Sequence, residues 1–409
     1  DGATAVIKPH QGFREGFTVA GDDIVRTVIE RHVLEAIRQA LKAAGLADPK
    51  ALLSQLFGGD YGGQSEIERA LRRQFTTQLA MPIALTLLRE YEAVDFQHSN
   101  LGYSRPLREY LPDPAQWPAR LAAYVEQAAQ QAGVRNFDLA AAPLAFDGRA
   151  LDRTVRAGIG PILADLCEVI HQCDCDLLLL TGRPSRLPAV RGVMLAKMPL
   201  SPDRIIALHQ YRVGNWYPYR DPHGLIADPK TTVVIGAMLC ALAEGQLEAF
   251  SFRSSELRPQ STARFVGEME LSGQLLDSKI FFRELNLDSA EELELSHTFS
   301  FEAPLFIGFR QLDVERWPAT PFYRIGFADQ QAIANARGRL PYQVTVSFRI
   351  GPRDGAASGG VESDEGEFRI EEVVAADGGP VRREELTLRL QTLKNQEGYW
   401  LDTGIFSIV

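Results

Sequence analysis

The spacing of apolar residues divides this chain in two. Up to about residue 245 the repeat is mainly helical, interrupted by short strand signals; beyond it, alternation of apolar and polar residues takes over. After Val19-Ala20-Gly21-Asp22-Asp23-Ile24, the residues Val25, Ile29, Val33, Ile37 and Leu41 recur every four positions. This predicts an amphipathic helix, capped by Asp22 or Asp23 and ended before Gly45 and Pro49. The preceding residues 3–19 look like the end of a β-hairpin. Residues 50–95 continue as helix, broken at Gly58-Gly59-Asp60-Tyr61-Gly62-Gly63, with Glu68 and Arg72 one turn apart on one face. Four prolines make residues 96–118 an irregular connection. A helix around 118–131, a strand from Phe137 to Leu144 and a long helix from Asp147 to His171 follow.

The four leucines Leu177–Leu180 predict a strand buried on both faces, as at the centre of an α/β sheet. Thr181-Gly182-Arg183-Pro184-Ser185 then turns the chain, and a helix should start just after it, with Ser185 able to cap and Pro188 tolerated in the first turn. A crossing of this kind presents backbone N–H groups at the positive end of a helix, where a nucleotide can be held; it also fits an ordinary strand-to-helix turn. Residues 199–228 form an insertion. Asp228-Pro229 opens a segment whose remainder, through Ala243, predicts a buried helix packed closely at Gly236 and Ala237.

Period-two alternation marks Leu293–Phe301, Gln343–Ile350 and Glu385–Leu390 as half-buried strands, with Phe265–Leu271, Lys279–Phe282, Phe368–Val374 and Ile405–Val409 as further candidates. Arg353–Glu367 has the composition of a flexible loop. Seven or so strands suggest an antiparallel sandwich or barrel. His297 is assigned to the polar side of its strand, a surface residue rather than a ligand.

Composition then bounds the function. The 409 residues exceed one ordinary core, and 45% hydrophobic with 23% charged residues describes a globular protein. A net charge of −10 without a basic block argues against nucleic acid as the main partner. No apolar run approaches the roughly 20 residues of a membrane span. The start, Asp1-Gly2-Ala3-Thr4, carries no signal-peptide pattern and suggests a piece of a longer protein, with cytoplasm as the expected compartment. Four cysteines make no disulfide framework, and Cys173-Asp174-Cys175 lacks the second Cys/His pair of a zinc site.

The order of strand, Thr181-Gly182-Arg183-Pro184-Ser185-Arg186-Leu187-Pro188, helix, and Asp228-Pro229-Lys230-Thr231-Thr232-Val233-Val234-Ile235-Gly236-Ala237 resembles the adenosine region of actin and DnaK-type ATPases. Val19–Ile24 is similar to the Ala-Gly-x-Asp-Leu segment of that superfamily, and Glu68-Arg69-Ala70 with Arg72 to its Glu-Arg-Ala-Lys-Arg helix. Phe13-Arg14-Glu15-Gly16-Phe17, with the same Val19–Asp23 and Thr181–Pro188 stretches, resembles the bacterial virulence factor SrfB family.

The resemblance implies an α/β fold over residues 1–250, the second lobe of an actin-like (ribonuclease H-like) ATPase with a helical subdomain at about 40–135. A β-rich domain of antiparallel sandwich or barrel form would follow at 251–409. It implies a site for ATP or ADP with magnesium at Gly21, Asp22, Glu68, Arg72, Thr181, Gly182, Arg183, Ser185 and Arg186. The phosphate loops and magnesium ligands would lie in an upstream lobe of the same protein, and the β domain would meet protein partners. Arg183 stands where the superfamily has a second glycine, and Lys230 where the chaperones carry an acid. These departures leave a pseudo-ATPase scaffold as the alternative, with a chaperone-like peptide binder as a third reading.

Overall fold

A computed structural model describes residues 5–17, 19–59, 64–96, 102–173, 175–247, 250–253, 262–286, 293–350, 367–391 and 399–408. The break at residues 60–63 and nearly all of the 353–367 loop expected from sequence lie outside them. Two compact units account for the chain: Asp1–Thr18 with Leu247–Gln396, and Val19–Gln246 with Glu397–Val409.

The short strand β1 (Ala5–Ile7) belongs to the first unit. The second unit begins with α1 (Gly21–Val28). Neither expected aspartate is its N-cap. Ala20 takes that position in extended conformation, and Asp23, three residues on, reaches back to accept the Ala20 N–H at 2.8 Å. Asp22 and Asp23 sit in the first turn, where negative charge suits the helix dipole. The helix widens through Ile29–Val33 into α2 (Leu34–Ala43), burying Val25, Ile29, Val33, Ile37 and Leu41, the residues with four-residue spacing.

α3 (Pro49–Phe57) is capped by Asp48, whose carboxylate accepts from Ala51 N–H at 2.9 Å. α4 (Glu66–Phe75) starts with a capping box: Glu68 accepts the Ser65 N–H at 2.8 Å, and Ser65 Oγ accepts the Glu68 N–H. A second wide turn, Thr76–Ala80, leads to α5 (Met81–Glu92). β2 (Gly102–Pro106) then pairs with β3 (Pro143–Asp147) around α6 (Ala119–Gln131). β3 starts later than the expected Phe137, because the Asp138 carboxylate accepts from Ala140 and Ala141 N–H and holds a turn there. Asp147 caps α7 (Gly148–Gln172), whose first turns join α1, α2 and α5 in one core.

β4 (Leu178–Leu180) pairs in parallel with β5 (Ile205–Ala207), with α8 (Pro188–Lys197) between them. Among the described residues the sheet has these two strands alone, and β4 is not buried on both faces. Leu178 and Leu180 pack toward Cys167 and Met194, whereas Leu177 and Leu179 are 48% and 53% exposed. α9 (Thr231–Leu242) forms where expected but is not a buried helix: Ile235 is covered, while Val233, Val234 and Met238 are exposed.

The first unit is built from strands. Of the stretch expected to be the end of a β-hairpin, the described residues hold one strand, β1, which runs parallel to β6 (Phe250–Phe252). β7 (Phe265–Met269), β8 (Ile280–Phe282), β10 (Leu305–Arg310), β11 (Thr320–Phe327) and β14 (Leu386–Leu390) form a five-stranded antiparallel sheet in the order β14-β11-β10-β7-β8. β9 (Leu293–Phe301), β12 (Tyr342–Ile350) and β13 (Glu367–Val374) form a second antiparallel sheet around β12. The short helix α10 (Gln330–Ala336) follows β11. Val266, Ile307 and Ile325 from the larger sheet share one core with Phe299, Val346, Phe348 and Phe368 from the smaller.

His297 faces this packed side, not the polar one. It is two residues from both Leu295 and Phe299, and its ring stacks on Phe281 at 4.5 Å between centroids. The expected final strand is absent from residues 405–408. α11 (Trp400–Thr403) and the residues after it join the second unit, where Phe406 N–H donates to Phe57 O at 2.7 Å and Ser407 N–H to Glu30 at 2.9 Å. These single bonds to helix residues offer no strand a ladder.

Candidate functional site

The site lies wholly within the second unit, where the start of α1 meets the turn after β4. Gly21 lies against Pro184: a Cβ on it would stand in van der Waals contact, 3.4 Å from Pro184 Cγ. Thus two stretches more than 150 residues apart in sequence come into contact, and beside them is a cavity of about 400 Å³. Small-ligand sites run from roughly 300 to 1,000 Å³. Ile24, Val25, Met81, Leu85 and Leu88 give the cavity apolar walls, with Leu187, Trp400 and Leu401. Asp22, Glu92, Arg183 and Lys230 bring charge to it.

The last turn of α5 fixes the 181–189 turn. Tyr91, fully buried, donates its O–H to Asp152 at 2.6 Å and accepts the Ala189 N–H at 2.9 Å, joining α5 to α7 and to the first turn of α8. Burial, then the hydrogen bond to Asp152, raise the phenol far above its usual range. The next residue, Glu92, takes Arg183 on one carboxylate oxygen and Arg186 on the other, each at 2.9 Å. Its side chain is 10% exposed, so these charge-assisted bonds are worth more than those of a solvated surface pair. Arg186 also donates to Ala227 O at 2.9 Å. Thr181 Oγ1 donates to Pro229 O at 3.1 Å and lies 2.6 Å from Thr232 Oγ1, so the residues entering α9 are tied to the same turn.

Inside the turn Gly182 has φ +77°, a conformation that favours glycine. Ser185 does not cap α8. Its hydroxyl donates back to Gly182 O at 2.7 Å, closing a tight helical turn over Arg183–Arg186, and α8 starts at Pro188 with Leu187 as its N-cap.

The residues expected at a ligand therefore sort by position. Gly21, Asp22 and Arg183 line the cavity. Thr181, Gly182, Ser185 and Arg186 shape the turn that carries Arg183. Glu68 closes the α4 capping box, and those hydrogen bonds from Ser65, backbone first, hold its carboxyl below the usual range. Arg72, only 2% exposed, donates to Thr403 O and Gln64 Oε1, each at 2.8 Å. Neither is among the residues lining the cavity.

Sequence reasoning missed Glu92, the apolar face of α5, and Trp400 with Leu401. The one available signal for Glu92 was an acid at the end of an amphipathic helix, which is commonplace. Tyr399-Trp400-Leu401 had no signal, since only the folded chain returns it to α1. There Tyr399 donates its O–H to Asp22; burial first, then that carboxylate, push its phenol well up.

Among the described residues no group of three His, Cys, Asp or Glu could hold a metal ion, and no helix is long and apolar enough to cross a membrane. The model of one protein family, described as virulence factor SrfB, matches residues 1–407. No curated protein matches the chain.

Proposed function

The chain belongs to the virulence factor SrfB family, and from that premise we propose that its second unit binds the adenosine half of a nucleotide. One observation carries the reading: Gly21-Asp22 and the Arg183-Pro184 turn, whose sequences resemble an adenosine region, meet at an apolar cavity of suitable size. The base would lie against Ile24, Leu85 and Trp400, with Lys230 beside the anionic end of the ligand. The resemblance puts the magnesium ligands in an upstream lobe, and hydrolysis is assigned to no residue of this chain. The strand-built first unit would meet protein partners.

A second reading, a scaffold that has lost nucleotide, is favoured by Arg183 itself. Its guanidinium is drawn onto Glu92 in the cavity wall, and Glu68 and Arg72 serve the fold instead of lining the cavity. Calorimetry with ATP, ADP and adenosine separates the two. The adenosine reading expects all three to bind, and expects Gly21→Val, whose branched side chain meets Pro184, to weaken each about tenfold or more. Absence of binding by the unaltered chain removes this reading and leaves the scaffold. Equal binding by the variant would show that the pocket is elsewhere.

A further inference from the structure

Trp400 and Leu401 reach the cavity on a four-residue helix, too short to persist without support. Its support is specific. Arg72, buried on α4, donates Nε to Thr403 O at 2.8 Å and Nη1 to Gln64 Oε1 at 2.8 Å. The chain turns directly on this residue. Gly404 has φ +70°, and a Cβ there would lie 2.8 Å from both Arg72 Cγ and Arg72 O. Beyond it, Phe406 and Ser407 are tied to Phe57 and Glu30. On the cavity side Tyr399 bonds Asp22, which itself lines the cavity. α11 is thus held at both ends, by a buried cation and by the first turn of α1. Trp400 is 2% exposed, and its indole N–H is buried with no acceptor among the described residues. A buried donor is normally satisfied, so it is a candidate partner for a ligand acceptor.

We propose that residues 399–404 are a wall of the ligand site, that Trp400 and Leu401 determine its preference for a flat apolar group, and that Arg72 is a positioning residue acting through α11. The identity of the ligand rests on the adenosine reading; the wall does not. Removing the guanidinium leaves Thr403 O and Gln64 without their donor, and α11 loses the contact that places it.

The test combines hydrogen exchange with ATP calorimetry on the full chain and three variants: Arg72→Met, Arg72→Lys and Leu401→Ala. In Arg72→Met, exchange of residues 399–404 should rise and ATP binding should weaken by about tenfold or more, with Arg72→Lys recovering part of both. Leu401→Ala should weaken ATP binding by several-fold with exchange of the segment unchanged. ATP binding at full strength in an Arg72→Met protein whose 399–404 segment exchanges freely would overturn the proposal. Should Arg72→Met fail to fold, Leu401→Ala decides, and unchanged affinity in it would overturn the wall. Should the unaltered chain bind no ATP, the adenosine reading falls and exchange alone judges the wall. Faster exchange at Gly21–Val25 and Leu85–Glu92 in Arg72→Met then supports it; unchanged protection there refutes it.

Discussion

Lowering the pH should destabilise the second unit through one half-buried histidine. His32, in the wide turn after α1, is half-buried beside the core residues Val33 and Leu34, with Nε2 2.9 Å from Thr154 Oγ1 on α7. Burial, the largest cause, lowers its pKa from the ordinary 6.5 to about 4; Asp147 opposes this, and Arg31 and Arg153 add to it. The unfolded chain therefore binds the proton first as pH falls. Stability is complete above about pH 6.5, declines below it, and levels off once pH passes about 4. The full difference corresponds to about 3 kcal/mol, of which about 2 kcal/mol is expressed at pH 5. For a unit of this size that is a fall in Tm of about 4–8 °C. The assay is thermal unfolding at pH 8 and pH 5 for the unaltered chain and His32→Gln, which keeps a hydrogen-bonding side chain and cannot titrate. Comparing the two slopes cancels the contribution of other groups common to both proteins. The variant should lose about 2 kcal/mol less than the parent over this interval. Equal losses would refute the argument that His32 is held neutral by burial.

Two predictions concern the first unit. Phe348 is fully buried and stacks on Phe368 at 4.4 Å, so Phe348→Ala should cost about 3–5 kcal/mol, read by denaturant unfolding; a loss below 1 kcal/mol would mean that this core is loosely packed. At Gly267 an added Cβ would stand 2.2 Å from Lys279 O, where β7 pairs with β8. Gly267→Ala should therefore separate these strands, with faster hydrogen exchange at Ile280–Phe282 and a destabilisation of about 2–4 kcal/mol.

What the residue pattern determined about this protein was local. Four-residue spacing placed α1 and its continuation, and alternation placed β9, β12 and β14, because in each case burial of one face leaves a period in the sequence. Where the period is interrupted, as by Gly308 in β10 and Pro321 in β11, no strand was legible. His297 shows the opposite lesson: its position in the alternation already put it with Leu295 and Phe299, and its polarity alone suggested otherwise. Tertiary structure decided the rest. An apolar run such as Leu177–Leu180 is equally consistent with one covered face or two, and only the number of neighbouring strands settles which. Arg72, in the residue pattern one turn from Glu68 on a helix face, became the buried anchor of Thr403, 331 residues away. The contact of Gly21 with Pro184, and the return of Trp400 to the same cavity, depend on separations along the chain at which local propensity carries no information. Which motifs were present could be read from the residues; which of them touch was fixed by the packing of α1, α5, α8 and α11 around one cavity.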